Sequence, residues 1–289
     1  HEIGHDIAET WVEITDLPLS DGIWQATSIT YEGNTVTMCL QYHDQSHDGP
    51  EVAFYSEDYG AHWSRVGDDD VTSVDHQIQL IADHADDWIT FDEYANGCGY
   101  AVTDLDGNGR LELIAANIAG TGHYTTAYFY EVDETYTQLV SCTYHVDEGE
   151  SQADILFGPE AAYYSTATGI TYYVFEDFGK VGATEYPSAM LALWLDGGEV
   201  RTCPLAMKYA AYKGDGTLDY ISITDWSGAE IDEAAYEAIG DRYFAGQQKQ
   251  PAVIGWLNMT PGEIRDTDPD TLELLLFDSY QEFSPKETL

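Results

Sequence analysis

The stretch that decides the fold is G-Y-A-V-T-D-L-D-G-N-G-R-L-E-L-I-A-A-N, residues 99–117. Both of its ends are short runs of apolar and small residues, and the acidic segment between them contains two glycines. Strand-length apolar runs on either side of a glycine-containing turn indicate a β-hairpin. An EF-hand would have helices at both places. The stretch therefore predicts two strands joined by an acidic loop.

The loop of residues 104–112 has a candidate oxygen ligand at every second position. These are the side chains of Asp104, Asp106, Asn108 and Glu112 and the backbone carbonyl of Arg110. Alternate residues turn their oxygens inward, and a glycine after the third ligand allows the chain to wrap a cation that takes about 6–8 oxygen atoms. An EF-hand would need a glutamate at the last loop position, where this chain has Ala115. The loop predicts a structural calcium site, and an acidic turn without metal is the alternative.

The pattern D-x-D-x-N-G-x-x-E between two strands resembles the calcium loops of FG-GAP repeats in integrin-type propellers and related bacterial surface proteins. The resemblance is confined to the loop and its flanks, and it implies the same five ligands. It departs from the family at Glu112, where aspartate is usual. Residues 212–221 echo the pattern, but Ala211 and Lys213 stand in the first two ligand places. We therefore predict a plain turn there.

The acidic composition excludes several classes of partner. Fifty-three acids face ten bases in 289 residues, for a formal net charge of −43. Such a chain repels phosphate backbones and anionic lipid, so we expect neither nucleic-acid nor membrane-surface binding. Bound divalent cations would relieve the self-repulsion. No apolar run approaches the length needed to span a membrane.

The pattern of strands and helices predicts a β-rich α+β fold. Short strands with hairpin turns run through residues 22–66, and helical spacing appears at 76–90, at 230–244 and after Asp268. We expect antiparallel sheets, which propeller blades would also provide, and about three helices. The acidic segment near residue 70 suggests a small β module of residues 1–70 and a larger α+β domain of residues 71–289. One continuous domain is the alternative.

Residues 56–63, S-E-D-Y-G-A-H-W, resemble the Asp-box hairpin that is repeated in sialidases and other β-propellers. Ser56, Asp58, Gly60 and Trp63 match the pattern, and His62 replaces its threonine. The motif implies a hairpin and no catalytic role. A sialidase clamps its substrate carboxylate with arginines, and this chain has only five of them and one such box. We therefore do not expect a sialidase.

The chain opens with H-E-I-G-H, which has the spacing of a zinc-peptidase signature. His1 and His5 would bind zinc, and Glu2 would act as the general base. The two positions that would extend the metzincin pattern hold Ala8 and Trp11. We interpret the motif as a chance match and keep a zinc peptidase as an alternative.

Two further groups of residues leave alternatives open. Four separate cysteines permit either two disulfides or four buried thiols, and without a C-x-x-C they do not indicate a zinc ribbon. They are Cys39, Cys98, Cys142 and Cys203. Tyr124, Tyr128 and Tyr130 alternate on one face of a strand and could bind a glycan or a protein, although ordinary sheet surface has the same pattern.

The segment Y-A-V-T-D-L-D-G-N-G at residues 100–109 is similar to one found in acidic secreted or lipid-anchored proteins of Gram-positive gut bacteria. This resemblance implies an extracellular or cell-surface-anchored protein, and we expect that a leader has been removed before His1. Our first hypothesis is a non-catalytic binding protein with one structural calcium and a glycan or protein ligand. The alternatives are a secreted hydrolase, either the zinc peptidase or a glycosidase with an unidentified carboxylate pair, and a purely structural surface module.

Overall fold

The computed structural model describes residues 23–32, 35–43, 48–56, 64–65, 71–93, 95, 97–118, 125–146, 152–179 and 182–285. The chain divides into two compact units, residues 1–69 and 70–289. Each unit is described below by itself.

The first unit contains an antiparallel meander of four strands in sequential order. They are β1 (Ile23–Glu32), β2 (Thr35–His43), β3 (Asp48–Ser56) and β4 (Ser64–Arg65). Strand β2 alternates between buried Val36, Met38 and Leu40 and half-buried residues between them. This period of two places the apolar side chains on one face of the sheet.

The second unit begins its β structure with a four-stranded antiparallel sheet, in the order β5-β6-β7-β8. The strands are β5 (Cys98–Thr103), β6 (Glu112–Ile118), β7 (Thr125–Val132) and β8 (Leu139–Ser141). Strands β5 and β6 form the hairpin that the sequence predicts, with Thr103 opposite Glu112 at its end. All six residues of β5 are buried, because apolar cores lie on both faces of this sheet.

A larger sheet of seven strands in the same unit packs against the β5–β8 sheet across one of these cores. Its main path is β14-β13-β12-β11-β10-β15, and β9 pairs with β13 in parallel. The strands are β9 (Thr143–Tyr144), β10 (Ala161–Ser165), β11 (Ile170–Phe178), β12 (Glu185–Asp196), β13 (Glu199–Tyr212), β14 (Leu218–Asp225) and β15 (Gln248–Gln250). Apart from β9, the pairings are antiparallel. The predicted β-rich α+β class is confirmed.

The described part of the chain has six short or medium helices, where the sequence predicted about three. They are α1 (Val74–Asp83), α2 (Ala85–Trp88), α3 (Glu233–Glu237), α4 (Ile239–Tyr243), α5 (Pro261–Asp266) and α6 (Pro269–Glu282). The regions 76–90 and 230–244 each contain two helices because the helix is interrupted at His84 and at Ala238. Helix α5 was missed because its six residues are too few for a periodic pattern, although its capping box of Thr260 and Glu263 is visible in the sequence. Among the described residues, no helix combines the length and the apolar character needed to cross a bilayer.

Helix α6 anchors the strand that leads into the acidic loop. Asp268 caps the helix, and its side chain accepts a hydrogen bond from the Thr271 amide. At the other end, the buried Ser279 hydroxyl donates to the Gly255 carbonyl at 2.5 Å and accepts from the Val102 amide at 2.9 Å. This hydroxyl connects α6 to β5 just before the loop begins.

The close approach at Gly255 leads to a first prediction. A β-carbon at this position would collide with the Ser279 carbonyl oxygen and lie 2.8 Å from Cβ of Glu282. Gly255→Ala should therefore lower the free energy of unfolding in urea by about 2–3 kcal/mol, as overpacking does in a close-packed interior. The matched control is Gly214→Ala, where a β-carbon would meet nothing within 4 Å. Equal stabilities of the two variants would contradict the packing described for α6.

Candidate metal centre

The acidic loop gathers three carboxylates at the end of the β5–β6 hairpin. Asp104 follows β5 directly, Glu112 opens β6, and Asp106 lies in the turn between them. One carboxylate oxygen from each of the three residues lies within 4.8 Å of the other two. Asp104 and Glu112 are buried, and Asp106 is half-buried. In the described part of the chain, no other three acidic, histidine or cysteine side chains come as close together. This cluster could hold a metal ion.

Glu112 is the deepest member of the cluster and is completely buried. Its Oε2 accepts hydrogen bonds from the Thr103 hydroxyl at 2.9 Å and from the Leu105 amide at 2.7 Å. Its Oε1 is buried and has no hydrogen-bond partner among the residues that the structure describes. A buried carboxylate oxygen without a donor is unfavourable for the folded state. Glu112 therefore calls for a proton or a cation.

Burial and mutual repulsion raise the pKa values of the carboxyl groups. Burial, followed by the charges of Asp106 and Asp104, raises the pKa of Glu112 well above its ordinary value. Burial, followed by the charge of Glu131, raises the pKa of Asp106 to about 6. Both shifts mean that the ionised forms are unfavourable in the folded protein when no cation balances them. A divalent cation bound between the carboxylates would instead favour their ionised forms.

The backbone of the loop is shaped by its own side chains and by two glycines. The Asp104 carboxylate accepts a hydrogen bond from the Gly109 amide at 3.3 Å, and that of Asp106 accepts one from the Asn108 amide at 3.2 Å. Gly107 and Gly109 have φ angles of 70° and 80°, a region that favours glycine. The bend that the sequence pattern implies is therefore present.

The structure brings together the three predicted carboxylate ligands, Asp104, Asp106 and Glu112, and the other two ligands, Asn108 and the Arg110 carbonyl, stay predictions. Asn108 directs its side-chain oxygen to the Arg110 amide, at 2.7 Å, and its NH₂ group donates to Asp106 at 2.9 Å. The Arg110 side chain pairs with Glu131, with 2.7 Å between Nη2 and Oε1. The side-chain oxygen of Asn108 is thus engaged within the loop backbone.

Glu131 belongs to this site and was not identified from the sequence. It lies on β7 opposite Glu112 in the strand ladder and is only 3% exposed. Its Oε1 accepts hydrogen bonds from the side-chain NH₂ group of Asn108 and from the Arg110 guanidinium, both at 2.7 Å. A signal was available, because Glu131 shares the period-two face of buried Ala127 and Phe129. An acid on an apolar strand face needs a partner.

Gln77, on helix α1, holds the loop from the opposite side. Its amide NH₂ donates to the carbonyls of Thr72 and Gly109 at 3.0 and 2.9 Å, and its oxygen accepts from the Leu111 amide at 2.7 Å. Gln77 is buried beside Ile78 on the apolar face of α1. A glutamine on such a face indicates a buried hydrogen-bonding role. This side chain joins the loop to a helix distant in the sequence.

The other predicted residues are placed as follows. His1, Glu2, His5 and Tyr124 lie outside the described residues, as does the Asp-box apart from Ser56. Tyr128 is 40% exposed, with its ring centroid 5.6 Å from that of Phe91, whereas Tyr130 packs against the core. The face of the tyrosine row is therefore partly covered. Segment 212–221 contains the predicted turn, which is formed by residues 213–217 between β13 and β14.

All four cysteines are free thiols. The structure therefore has thiols and not disulfides, but only Cys98 is buried, and the other three cysteines are half-buried. Burial, followed by the nearby charge of Glu112, raises the pKa of Cys142 to about 12. A thiol with such a pKa is inert at neutral pH.

The sequence matches no protein-family model and no curated protein. Among solved structures, the chain is similar to an α-L-arabinofuranosidase from Clostridium thermocellum. The two are 10% identical over 83% of this chain and 74% of the other, with a TM-score of 0.19. That similarity is too low to assign a fold or an activity.

The position of Gln77 leads to a second prediction. Gln77→Leu keeps the size of the side chain but removes three hydrogen bonds and leaves the buried Leu111 amide without an acceptor. We expect the free energy of unfolding to fall by about 2–4 kcal/mol in urea denaturation. The control is Gln248→Leu, at an exposed position on β15, with a change of less than about 0.5 kcal/mol. A small effect at Gln77 would show that α1 does not hold the loop.

Proposed function

We propose that this chain is an extracellular, non-catalytic binding protein whose loop 104–112 holds one structural calcium ion. The observation that carries the proposal is the fully buried Glu112, which lies in a cluster with two aspartates and has one oxygen without a partner in the described part of the chain. An ion bound there would satisfy that oxygen and offset the burial and the neighbouring negative charges that raise the pKa of Asp106.

The chemistry of the donors favours calcium over other metals. The cluster offers carboxylate oxygens, without histidine or cysteine. Oxygen donors suit hard cations, whereas zinc prefers nitrogen and sulfur ligands. Magnesium requires nearly ideal octahedral geometry, while calcium accepts irregular sets that include backbone carbonyls and waters. An irregular loop with three side-chain carboxylates therefore suits calcium best.

The position of the cluster supports a structural role for the ion. Its deepest ligand is inaccessible to solvent, and the strands on either side of the loop are buried between two cores. A catalytic metal needs an open coordination position that a substrate can reach. An ion in this loop would instead lock the hairpin end and offset charge.

The charge and the exposed aromatic surface of the chain support the proposed extracellular location and ligand class. Calcium sites in extracellular modules often bind in the range of about 10⁻⁴–10⁻³ M, and a chain of charge −43 gains stability from such an ion. This fits a secreted or lipid-anchored surface protein. Exposed aromatic rings, Tyr128, Tyr220 and Trp226 among them, provide the stacking surfaces that glycans and protein partners use.

Calcium dependence gives the third prediction, with Glu112→Gln as the variant. We expect about one calcium per wild-type chain and a stabilisation of about 2.7 kcal/mol when calcium is 100-fold above its Kd. The variant should bind no calcium at the loop and should not be stabilised when calcium is added. In EDTA, however, it should be more stable than the wild type by about 1–3 kcal/mol, because it removes a buried charge while keeping the acceptor for Thr103 and Leu105.

Metal analysis and thermal unfolding with and without calcium measure both effects. Glu237→Gln, the same change at an exposed site on α3, should behave like the wild type. Equal calcium-dependent gains in the wild type and Glu112→Gln would place the ion elsewhere. Absence of any gain would make the loop an acidic turn. Stoichiometric zinc would favour the peptidase alternative.

The binding surface gives the fourth prediction. In a screen of polysaccharides and extracellular proteins, Tyr128→Ala should weaken binding of the captured ligand by about 3–10-fold, the contribution of one aromatic contact. Tyr243→Ala, which removes a similarly exposed ring from α4, is the control. Unchanged binding by Tyr128→Ala would exclude the surface around Tyr128 as the binding site. Turnover of a captured glycan would favour a hydrolase.

A further inference from the structure

Arg110 is the one basic residue in the hairpin loop and its neighbouring described strands β5, β6 and β7. Its side chain is 19% exposed and pairs with the almost completely buried Glu131, with 2.7 Å between Nη2 and Oε1. Nη1 also donates to the Val132 carbonyl at 3.3 Å. A guanidinium held at two points has a defined position beside the acidic cluster.

This ion pair is connected to the cluster by a short chain of hydrogen bonds. The NH₂ group of Asn108 donates both to Glu131 and to Asp106, at 2.7 and 2.9 Å. Glu131 also lies opposite Glu112 in the β6–β7 ladder. The charge of Glu131 raises the pKa of Asp106 and that of Arg110 lowers it. Both members of the pair therefore act on the carboxylates at short range.

We propose that Arg110 is a resident counter-ion that weakens calcium binding by neutralising Glu131, and thereby sets the calcium concentration at which the loop fills. This inference rests on the proposed calcium site. Four carboxylates would attract a divalent cation more strongly than three. Arg110 neutralises the charge of the fourth carboxylate, Glu131. Its own positive charge also repels an incoming ion.

Electrostatics predicts the size of the effect. A unit charge near a divalent ion, in a partly buried medium, changes the affinity by about tenfold. Removing Arg110 should therefore move a site of millimolar affinity into the range of about 10⁻⁴ M or below. The pair would thus match the loop to the high calcium concentration outside a cell.

A purely structural role for the ion pair predicts the opposite sign. If the pair only holds the loop in shape, breaking it from either side disorders the ligands and weakens calcium binding. If Arg110 is a counter-ion, Arg110→Gln strengthens binding and Glu131→Gln weakens it. The direction in which Arg110→Gln changes the calcium affinity therefore separates the two roles.

The experiment is a calcium titration of the full chain by calorimetry. We expect the Kd to fall about tenfold in Arg110→Gln and to rise about tenfold in Glu131→Gln. Arg110→Lys, which retains the charge, should stay within about threefold of the wild type. Arg201→Gln, the same charge change at an exposed site on β13, should stay within about twofold, because distant exposed charges are screened.

Each outcome decides the inference. Weaker or unchanged binding by Arg110→Gln, in a wild type that binds calcium, overturns it and leaves the calcium site intact. A wild type that binds no calcium overturns the proposed site and this inference with it. If Arg110→Gln does not fold, the double variant Arg110→Gln/Glu131→Gln carries the test. Affinity near that of the wild type supports the counter-ion, and a large loss supports the structural role.

Discussion

The second unit of this protein is organised around one buried carboxylate. Glu112 starts strand β6, and through Oε2 it holds both the Thr103 hydroxyl and the Leu105 amide, so it joins the two strands where the loop leaves the sheet. Within the described ranges of the chain, its second oxygen has no hydrogen-bond partner. A buried negative charge with half of its acceptors unsatisfied is stable only if something else nearby compensates it. The cluster of three acids is where that compensation is expected.

Elements distant in the sequence converge on the same loop. Gln77 on α1 holds its backbone, the Tyr173 hydroxyl on β11 donates to the Leu105 carbonyl at 3.2 Å, and Glu131 on β7 binds Asn108 and Arg110. The loop therefore touches both sheets and a helix of the second unit. A cation bound there would stabilise contacts far beyond the hairpin, which is why we assign it a structural role.

Charge connects this local arrangement to the whole molecule. A net charge of −43 opposes compaction, and each divalent ion bound to the folded state reduces that penalty. The same charge works against tight control of the site, because it attracts cations without selectivity. A resident guanidinium beside the cluster provides local control, since it acts at short range where screening by salt is weak.

The sequence by itself determined the fold class, the β5–β6 hairpin, the cap of α6 and the acids that meet in the loop. These features depend on local spacing, in which a period of two, a glycine turn and an Asp-Pro cap have direct conformational consequences. Only the tertiary structure decided that Glu131 and Gln77 contact the loop and that the tyrosine row is partly covered. Those outcomes depend on which side chains long-range pairing and packing bring together, and no local pattern in the chain specifies the partners.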